Sequence, residues 1–267
     1  MTEDKLIEII ETNPIIIKSL QSPSEKVKLA AVKRDGTMIR YIENPTEEMK
    51  EVAIKSSIRA IEFIQNPSYE MKKYAVTQAW NTLQYFKDPS EDLIKIALEQ
   101  KGWAIRYAIN PTLELQKLAI EKDYDSIKYI KSPAEELQLL AITINYEALR
   151  YIDKPTLNAE ILAVKENEAA IKFITNLDEN KKILLLKANP LVMKYFNNDI
   201  SKEKVEAALK EVLSSEKVCE KYVRAYINCK SISENQGNIS MDKVLFIYKF
   251  GSREAKKITV DEKLTVH

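Results

Sequence analysis

The sequence predicts a mainly α-helical protein: a right-handed α-solenoid of nine 22-residue two-helix repeats with a small α+β cap at its C-terminal end. The first observation is a series of prolines separated by equal intervals of 22 residues, at Pro23, Pro45, Pro67, Pro89, Pro111, Pro133 and Pro155. A short fixed period is typical of proteins that stack one small unit many times. The second observation is that apolar residues within each interval recur at helical spacing. The third is that the chain has only four glycines, all isolated, which disfavours a β-solenoid.

A first helix is predicted at the start of every interval, when each interval is numbered from its proline as position 1. Proline is favoured at the first helical position, and the residue before it is an N-cap type such as Asn44 or Asn66. Glutamate at position 3 completes a predicted capping box in Glu25, Glu47, Glu91 and Glu135. Position 9 is alanine in Ala31, Ala53, Ala75, Ala97, Ala119, Ala141 and Ala163. This unvarying alanine predicts a close contact between helices with no room for a larger side chain.

A short second helix is predicted to follow position 13, which carries a capping residue in Asn13, Asp35, Ser57, Asp123, Asn145, Asn167 and Asn189. Position 17 is aliphatic, and position 19 carries an aromatic ring from Tyr41 to Tyr195. We predict that these rings belong to the core, with their hydroxyl groups reaching the rim. The register runs from Met1 to Asn198, so residues 1–198 form the predicted repeat domain.

The pattern Asn-Pro-Thr/Ser-x-Glu, then Ala-Val/Ile, then a second Asn/Asp cap and Ile-x-Tyr-Ile resembles the short two-helix repeats of the leucine-rich-variant type. Such repeats occur in bacterial and phage proteins, and the resemblance covers residues 1–198. It implies a helical-repeat architecture and no particular activity. Some members of that family carry a cysteine-ligated iron–sulfur cluster near the N-terminus. This chain has no cysteine before Cys219, so the resemblance does not bring that cluster with it.

Residues 199–267 leave the register and are predicted to form a separate C-terminal cap. Helices are predicted over residues 202–213 and 216–227, followed by two or three strands over 244–248, 258–260 and 264–266, with a hairpin turning near Gly251. A solenoid exposes an apolar face at its last repeat, so a cap is physically required. The same segment is a candidate surface for dimerisation or partner docking, and helices followed by a hairpin are also similar to winged-helix order. Cys219 and Cys229 are predicted to be buried apolar thiols.

Composition and charge argue against several classes of function. The 41 basic and 40 acidic residues give a net charge of +1, so a globally basic nucleic-acid footprint is absent. The only histidine is the terminal His267, which disfavours catalytic triads, and isolated glycines disfavour a phosphate-binding loop. We therefore expect no enzyme, no catalytic residue, no metal and no cofactor. The acidic N-terminus and the lack of a long apolar run predict a cytoplasmic protein with no membrane partner.

Two series of residues are candidate binding surfaces. Position 18 is predicted to face solvent, and it is basic in seven of nine intervals. The series is called the basic ladder and comprises Lys18, Arg40, Glu62, Gln84, Arg106, Lys128, Arg150, Lys172 and Lys194, of which Glu62 and Gln84 are not basic. Large side chains recur at the turn between the helices, in Ile58, Trp80, Trp103, Tyr124 and Tyr146. The structural alternatives are solvated helix residues for the ladder and packing over the helix ends for the turn. The candidate partner-binding residues are Trp80, Trp103, Arg106, Tyr124, Lys128, Tyr146 and Arg150.

The leading functional hypothesis is a non-catalytic scaffold that binds another protein through its repeat face. The Lys-, Ile- and Asn-rich composition favours an AT-rich bacterium or its phage as the source, and a phage-encoded inhibitor of a host protein is one form of the hypothesis. The alternative is a solenoid that binds nucleic acid along the basic ladder. A third, weaker hypothesis is a helical-repeat base-excision enzyme using Asp123 or Asp125 beside Tyr124.

Overall fold

Over most of its length the protein alternates ten-residue α-helices with six-residue 3-10 helices. The structure is a computed structural model, and it describes residues 2–196, 200–234 and 237–265. The α-helices are α1 (Glu3–Thr12), α2 (Glu25–Arg34), α3 (Glu47–Ser56), α4 (Tyr69–Gln78), α5 (Glu91–Gln100), α6 (Leu113–Lys122), α7 (Glu135–Ile144), α8 (Leu157–Glu166) and α9 (Glu179–Ala188). The 3-10 helices span Pro14–Ser19, Gly36–Tyr41, Ile58–Phe63, Trp80–Tyr85, Gly102–Tyr107, Tyr124–Tyr129, Tyr146–Tyr151, Glu168–Phe173 and Pro190–Tyr195. The prediction of regularly paired helices is confirmed.

The chain divides into two compact units, residues 1–130 and residues 131–267. The first unit contains α1 to α6 and the second contains α7 onward. Met1 and Asn198, the predicted ends of the register, lie outside the described residues, as do Val266 and His267. None of the helices in the described ranges is long and apolar enough to cross a membrane.

Helices α2 to α8, each of which the sequence predicts to start at a proline, begin two residues later. The N-cap is the residue that follows the proline: the Thr46 hydroxyl accepts a hydrogen bond from the Met49 amide at 3.2 Å. The residue before the proline has a left-handed backbone in Ser22, Asn44, Asn66, Asn110 and Ser132, with φ of 47–51°, and Asn176, which precedes Leu177 at the equivalent position, has φ of 55°. Asparagine tolerates this conformation better than most residues, so the segment turns there before the helix starts. Glutamates such as Glu47 therefore occupy the first helical position, where they face the positive helix end without closing a capping box.

The second helix of each pair is a 3-10 helix, and position 13 caps it in several intervals. The Asp35 carboxylate accepts from the Thr37 amide at 2.9 Å, and the Asn145 side chain accepts from the Glu147 amide at 2.9 Å. With three residues per turn, positions 17 and 20 fall on one face of such a helix. Position 20 is accordingly buried, as in Ile42 and Ile64.

The alanines at position 9 are fully buried, as the sequence predicts. Ala31, Ala53, Ala75, Ala97, Ala119, Ala141 and Ala163 each have no exposed surface. The backbone carbonyl groups of these alanines also approach the start of the 3-10 helix in the preceding interval. A Cβ atom added to Gly102 would lie 2.2 Å from the Ala119 carbonyl oxygen. Position 14 of this interval therefore takes glycine, and the large side chain of Trp103 stands one residue later.

We expect Ala119→Leu to destabilise the protein by about 1–3 kcal/mol, because extra methyl groups in a filled contact force neighbouring helices apart. Urea unfolding of the variant and the parent measures this difference. Ala207→Leu is the matched control, since Ala207 is exposed on its helix and the added side chain there meets solvent. Equal, negligible losses for the two changes would mean that the alanine column is not a packing contact.

The C-terminal segment is helical, and the predicted β-hairpin is wrong. Its helices are α10 (Lys202–Leu213), α11 (Glu220–Asn228), α12 (Lys243–Phe250) and α13 (Arg253–Thr265). The Asp242 carboxylate accepts from the Val244 and Leu245 amides and so starts a helix where a strand was expected. A short continuous apolar run does not distinguish a strand from a buried helix by periodicity, which explains the error. In the described part of the chain, β-pairing is limited to one isolated bridge between Ile232 and Ile239, so the winged-helix alternative also loses its hairpin.

Helix α11 packs against the end of the repeats in the second unit. The Tyr222 hydroxyl donates to the Leu186 carbonyl oxygen of α9 at 3.0 Å, and burial raises the pKa of Tyr222. Tyr226 is fully buried, with its ring centroid 6.3 Å from that of Phe246 on α12. Helix α10 packs against α9, and α11 packs against the 3-10 helix Pro190–Tyr195, so both helices cover the last pair of the series.

Candidate binding surface

The basic ladder lies against the aromatic rings of position 19. The Arg40 guanidinium, for example, lies 5.3 Å from the ring centroid of Tyr41 and 4.6 Å from that of Phe63. The rings are half-buried in most intervals, and Tyr85 is exposed. The prediction that these rings belong to the core is therefore wrong. In a 3-10 helix the buried face passes through positions 17 and 20, which leaves position 19 beside the ladder.

Arg106 contacts three aromatic rings, one from each of three consecutive 3-10 helices of the first unit. Its guanidinium carbon lies 5.5 Å from the Trp80 ring centroid, 4.8 Å from Tyr107 and 5.5 Å from Tyr129. Its Nη2 also donates to the Tyr107 hydroxyl at 2.8 Å. Guanidinium groups stacked on ring faces gain about 0.5–2 kcal/mol each, so the arginine is held in one geometry.

Trp103 is fixed next to this group by hydrogen bonds and by a lysine. Its Nε1 donates to Asp125 Oδ1 at 2.7 Å, and the Lys128 ammonium donates to Asp125 Oδ2 at 2.7 Å. The same ammonium lies 4.0 Å from the Trp103 ring centroid, and the Tyr129 ring meets Trp103 edge-on at 6.1 Å. Trp80, Trp103, Arg106, Tyr107, Lys128 and Tyr129 are called the Trp–Arg cluster below.

Two carboxylates beneath the cluster are held by structural partners. The Asp123 carboxylate accepts from the Gly102 amide and from the Lys101 ammonium, each at 2.7 Å. It therefore caps the 3-10 helix of the preceding interval. Burial raises the pKa of Asp125, but the hydrogen bonds from Lys128 and Trp103 outweigh it and leave that pKa below its ordinary value. These engagements favour a positioning role for the two aspartates, and Asp125 stays ionised in the cluster.

We expect Asp125→Asn to lower the stability of the protein at neutral pH by about 1–2 kcal/mol, because it weakens charge-assisted hydrogen bonds. A carboxylate with a lowered folded pKa stabilises the fold above its unfolded pKa and loses that contribution as pH falls through the folded value. The difference between variant and parent should therefore shrink below about pH 3.9. Urea unfolding at neutral and acidic pH tests this, with Asp88→Asn at an exposed site of the same unit as the control. A difference that does not change with pH would contradict it.

The remaining predicted residues are Tyr124, Tyr146 and Arg150. Tyr124 is half-buried and begins the 3-10 helix that carries Lys128. Tyr146 and Arg150 belong to the second unit, where the Arg150 guanidinium lies 5.3 Å from the Tyr151 centroid and 5.8 Å from that of Phe173. The structure thus brings Trp80, Trp103, Arg106 and Lys128 together. It adds Tyr107 and Tyr129, which the sequence analysis assigns to the core, and Asp125, which it considers only for base excision. The recurrence of a cation at position 18 next to a ring at position 19 is the sequence pattern that could have indicated the contacts of Tyr107 and Tyr129 with cations.

The ladder is uneven in charge. Lys128 and Lys194 are paired with Asp125 and Glu168, at 2.7 and 2.8 Å. Glu62 interrupts the line and lies 3.6 Å from Arg59. Within the described residues, by contrast, no carboxylate lies at ion-pair distance from Lys18, Arg106, Arg150 or Lys172, so these four members keep their charge available.

The cysteines do not form a site. Cys229 is buried, and desolvation raises the pKa of its thiol, as expected for an apolar cysteine. Cys219 is exposed, so the prediction that both thiols are buried is wrong for this residue. Across the described ranges there is no group of three or more His, Cys, Asp or Glu side chains placed to hold a metal ion.

Comparison of the chain with protein-family models, with curated proteins and with solved structures gives no match. The resemblance to leucine-rich-variant repeats therefore stays a prediction.

Proposed function

We propose that this protein is a non-catalytic scaffold that binds another protein through its repeat face, with the Trp–Arg cluster at the centre of the contact. The observation that carries the proposal is the set of half-buried Trp and Tyr rings held together with the exposed Arg106 side chain on one surface of the first unit. These residue types dominate the binding energy of protein interfaces. Because the rings and cations already hold one another, little side-chain freedom is lost when a partner binds.

The charge distribution favours a protein partner over a polyanion. Lys128 and Lys101 next to the cluster are each paired with an aspartate, which offsets their positive charge. A binding groove for a phosphate backbone normally carries unpaired cations along its whole length. Tyr124 in the first unit, and Tyr146 and Arg150 in the second unit, are further partner-binding residues of this proposal. A phage-encoded inhibitor of a host protein is the narrower form of this proposal.

The second candidate function is nucleic-acid binding along the basic ladder. It is favoured by Arg106, Arg150 and Lys172, which have no carboxylate within ion-pair distance in the described part of the chain. Each lies against a ring, an arrangement that suits stacking as well as charge. The base-excision alternative has less support, because both oxygens of Asp125 are engaged by Trp103 and Lys128.

Affinity capture from the organism that encodes the chain separates these functions. The full chain and its Trp80→Ala/Trp103→Ala variant are used as baits, each with and without nuclease treatment. A protein that is captured by the parent after nuclease treatment and lost by the variant is the expected result. Capture that disappears with nuclease would support the ladder instead, and its affinity should then fall steeply with salt.

A further inference from the structure

Helices α12 and α13 present large apolar side chains to solvent. Tyr248 is 73% exposed, Leu264 is 72% exposed and Val260 is 57% exposed, with Val244 and Leu245 each at 46%. Both helices bury another side against the protein, through Phe246, Ile247 and Ile258. Isolated exposed apolar residues are common on protein surfaces, whereas several on adjacent elements indicate an interaction site.

These apolar residues lie on one surface. Lys256, Val260 and Leu264 are spaced by four residues and so follow one face of α13. The Lys256 ammonium lies 5.8 Å from the ring centroid of Tyr248, which joins that face to α12. The surface formed by Val244, Leu245, Tyr248, Val260 and Leu264 is called the terminal face below.

The terminal face is surrounded by positive charge. Lys249, Arg253, Lys256, Lys257 and Lys263 are all exposed. Among the ion pairs of the described residues, none involves any of these five side chains. Of the nearby acidic residues, Glu262 accepts hydrogen bonds from Arg224 and Asn228, and Asp242 accepts hydrogen bonds from the Val244 and Leu245 amides. Glu254 and Asp261 are exposed but lie about 120° and about 100° around α13 from Val260, given the helical spacing of 100° per residue. The edge of the terminal face is therefore strongly basic in a protein whose net charge is only +1.

We infer that the terminal face docks on an anionic lipid surface, with α12 and α13 lying in the plane of the interface. Amphipathic helices with lysines beside exposed aliphatic and aromatic residues bind in this way, through charge attraction and shallow insertion. The high exposure of Tyr248 and Leu264 favours a lipid surface over a protein groove. Side chains that project into solvent can insert into a fluid interface, whereas a protein partner would need pockets that match them. A second copy of the chain would bring five like charges against five. Binding to a membrane surface requires no membrane-spanning segment. The prediction of no membrane partner depended on the lack of a long apolar run, and that observation does not exclude surface binding.

Sedimentation of the full chain with lipid vesicles tests the inference. The probe is phosphatidylcholine vesicles containing roughly one third phosphatidylserine, compared with pure phosphatidylcholine. We expect the chain to bind the anionic vesicles, to bind the neutral ones far more weakly, and to be released as ionic strength rises. No binding to anionic vesicles at low ionic strength overturns the inference.

Two variants locate the contact. Lys256→Glu/Lys257→Glu should lower the partition coefficient at least about 25-fold, since each lysine near such a surface contributes a factor of about five. Tyr248→Ser/Leu264→Ser should also weaken binding, and because both side chains are exposed the fold should be kept. Lys154→Glu/Lys165→Glu makes the same charge change at two other exposed lysines of the unit and should have little effect. An equal loss in this control would mean that net charge alone decides binding, and the inference would be wrong.

Polyglutamate separates lipid from an acidic protein. It carries charge and no apolar phase, so it should bind weakly to the parent chain and compete poorly with the vesicles. Tight polyglutamate binding that Tyr248→Ser/Leu264→Ser leaves unchanged would assign the terminal face to an acidic protein and overturn the lipid assignment.

Discussion

Replacing Trp80 and Trp103 with alanine is expected to weaken partner binding at least about 30-fold, equivalent to 2 kcal/mol or more. The two rings anchor the Trp–Arg cluster: Trp80 lies under Arg106, and Trp103 lies under Lys128. Their removal takes away contact area and also frees the two cations, which then lose their fixed positions. Titration calorimetry with the captured protein measures the effect, since it gives affinity for both variants under one condition.

The control for this prediction is Tyr69→Ala/Tyr74→Ala, which removes two exposed rings from α4 in the same unit. It should leave the affinity nearly unchanged. Reversal of Arg106, Lys128 and Arg150 to glutamate makes a second comparison, and for a protein partner it should mainly slow association. If the charge reversal abolishes binding while the tryptophan variant binds normally, the ladder is the site and the partner is a polyanion. If neither change matters, the repeat face is not the site.

Replacing Tyr226 with alanine is expected to cost about 3–5 kcal/mol of stability, the typical loss when a fully buried aromatic residue is truncated in a core. Tyr226 has no exposed surface, and its ring joins α11 to Phe246 on α12. Its hydroxyl lies 3.0 Å from the Met241 sulfur, and burial raises its pKa. Loss of the ring leaves a cavity that the surrounding helices only partly fill. Urea unfolding followed by helical circular dichroism measures the change.

Tyr226→Phe is the matched control, because it keeps the ring and removes only a hydroxyl whose partner is a weak acceptor. We expect it to cost about 1 kcal/mol or less. Comparable losses for phenylalanine and alanine would place the stabilisation in the hydroxyl contact. A negligible loss for alanine would mean that the C-terminal helices do not form one core with α11.

The alternation of helices and the buried columns could be predicted from the sequence because both depend on local features. Pairs such as Ala97 and Leu98 recur at one position of the register, and periodic burial at helical spacing needs no knowledge of neighbouring intervals. The sequence predicts the N-cap at Asn44 and the structure has it at Thr46, because both residues are good caps and only backbone geometry distinguishes them. The error at residues 244–248 has a similar origin, since an apolar run of five residues fits a strand or a helix.

The candidate surface needed tertiary structure, because its contacts join intervals 22 residues apart. From the sequence, Asp125 is a candidate only for base excision and Tyr129 is a predicted core ring. The structure instead has the Asp125 carboxylate hydrogen-bonded to Trp103 and the Arg106 guanidinium over the Tyr129 ring. The sequence by itself determined the helical pairs, the alanine column and the candidate residues, since local hydrogen bonding and side-chain size decide them. The tertiary structure decided which cation lies over which ring, and it placed two helices with an exposed apolar face, α12 and α13, where the sequence predicts strands. Those outcomes depend on how neighbouring elements pack, and the residues of one interval do not determine where the residues of the next interval lie.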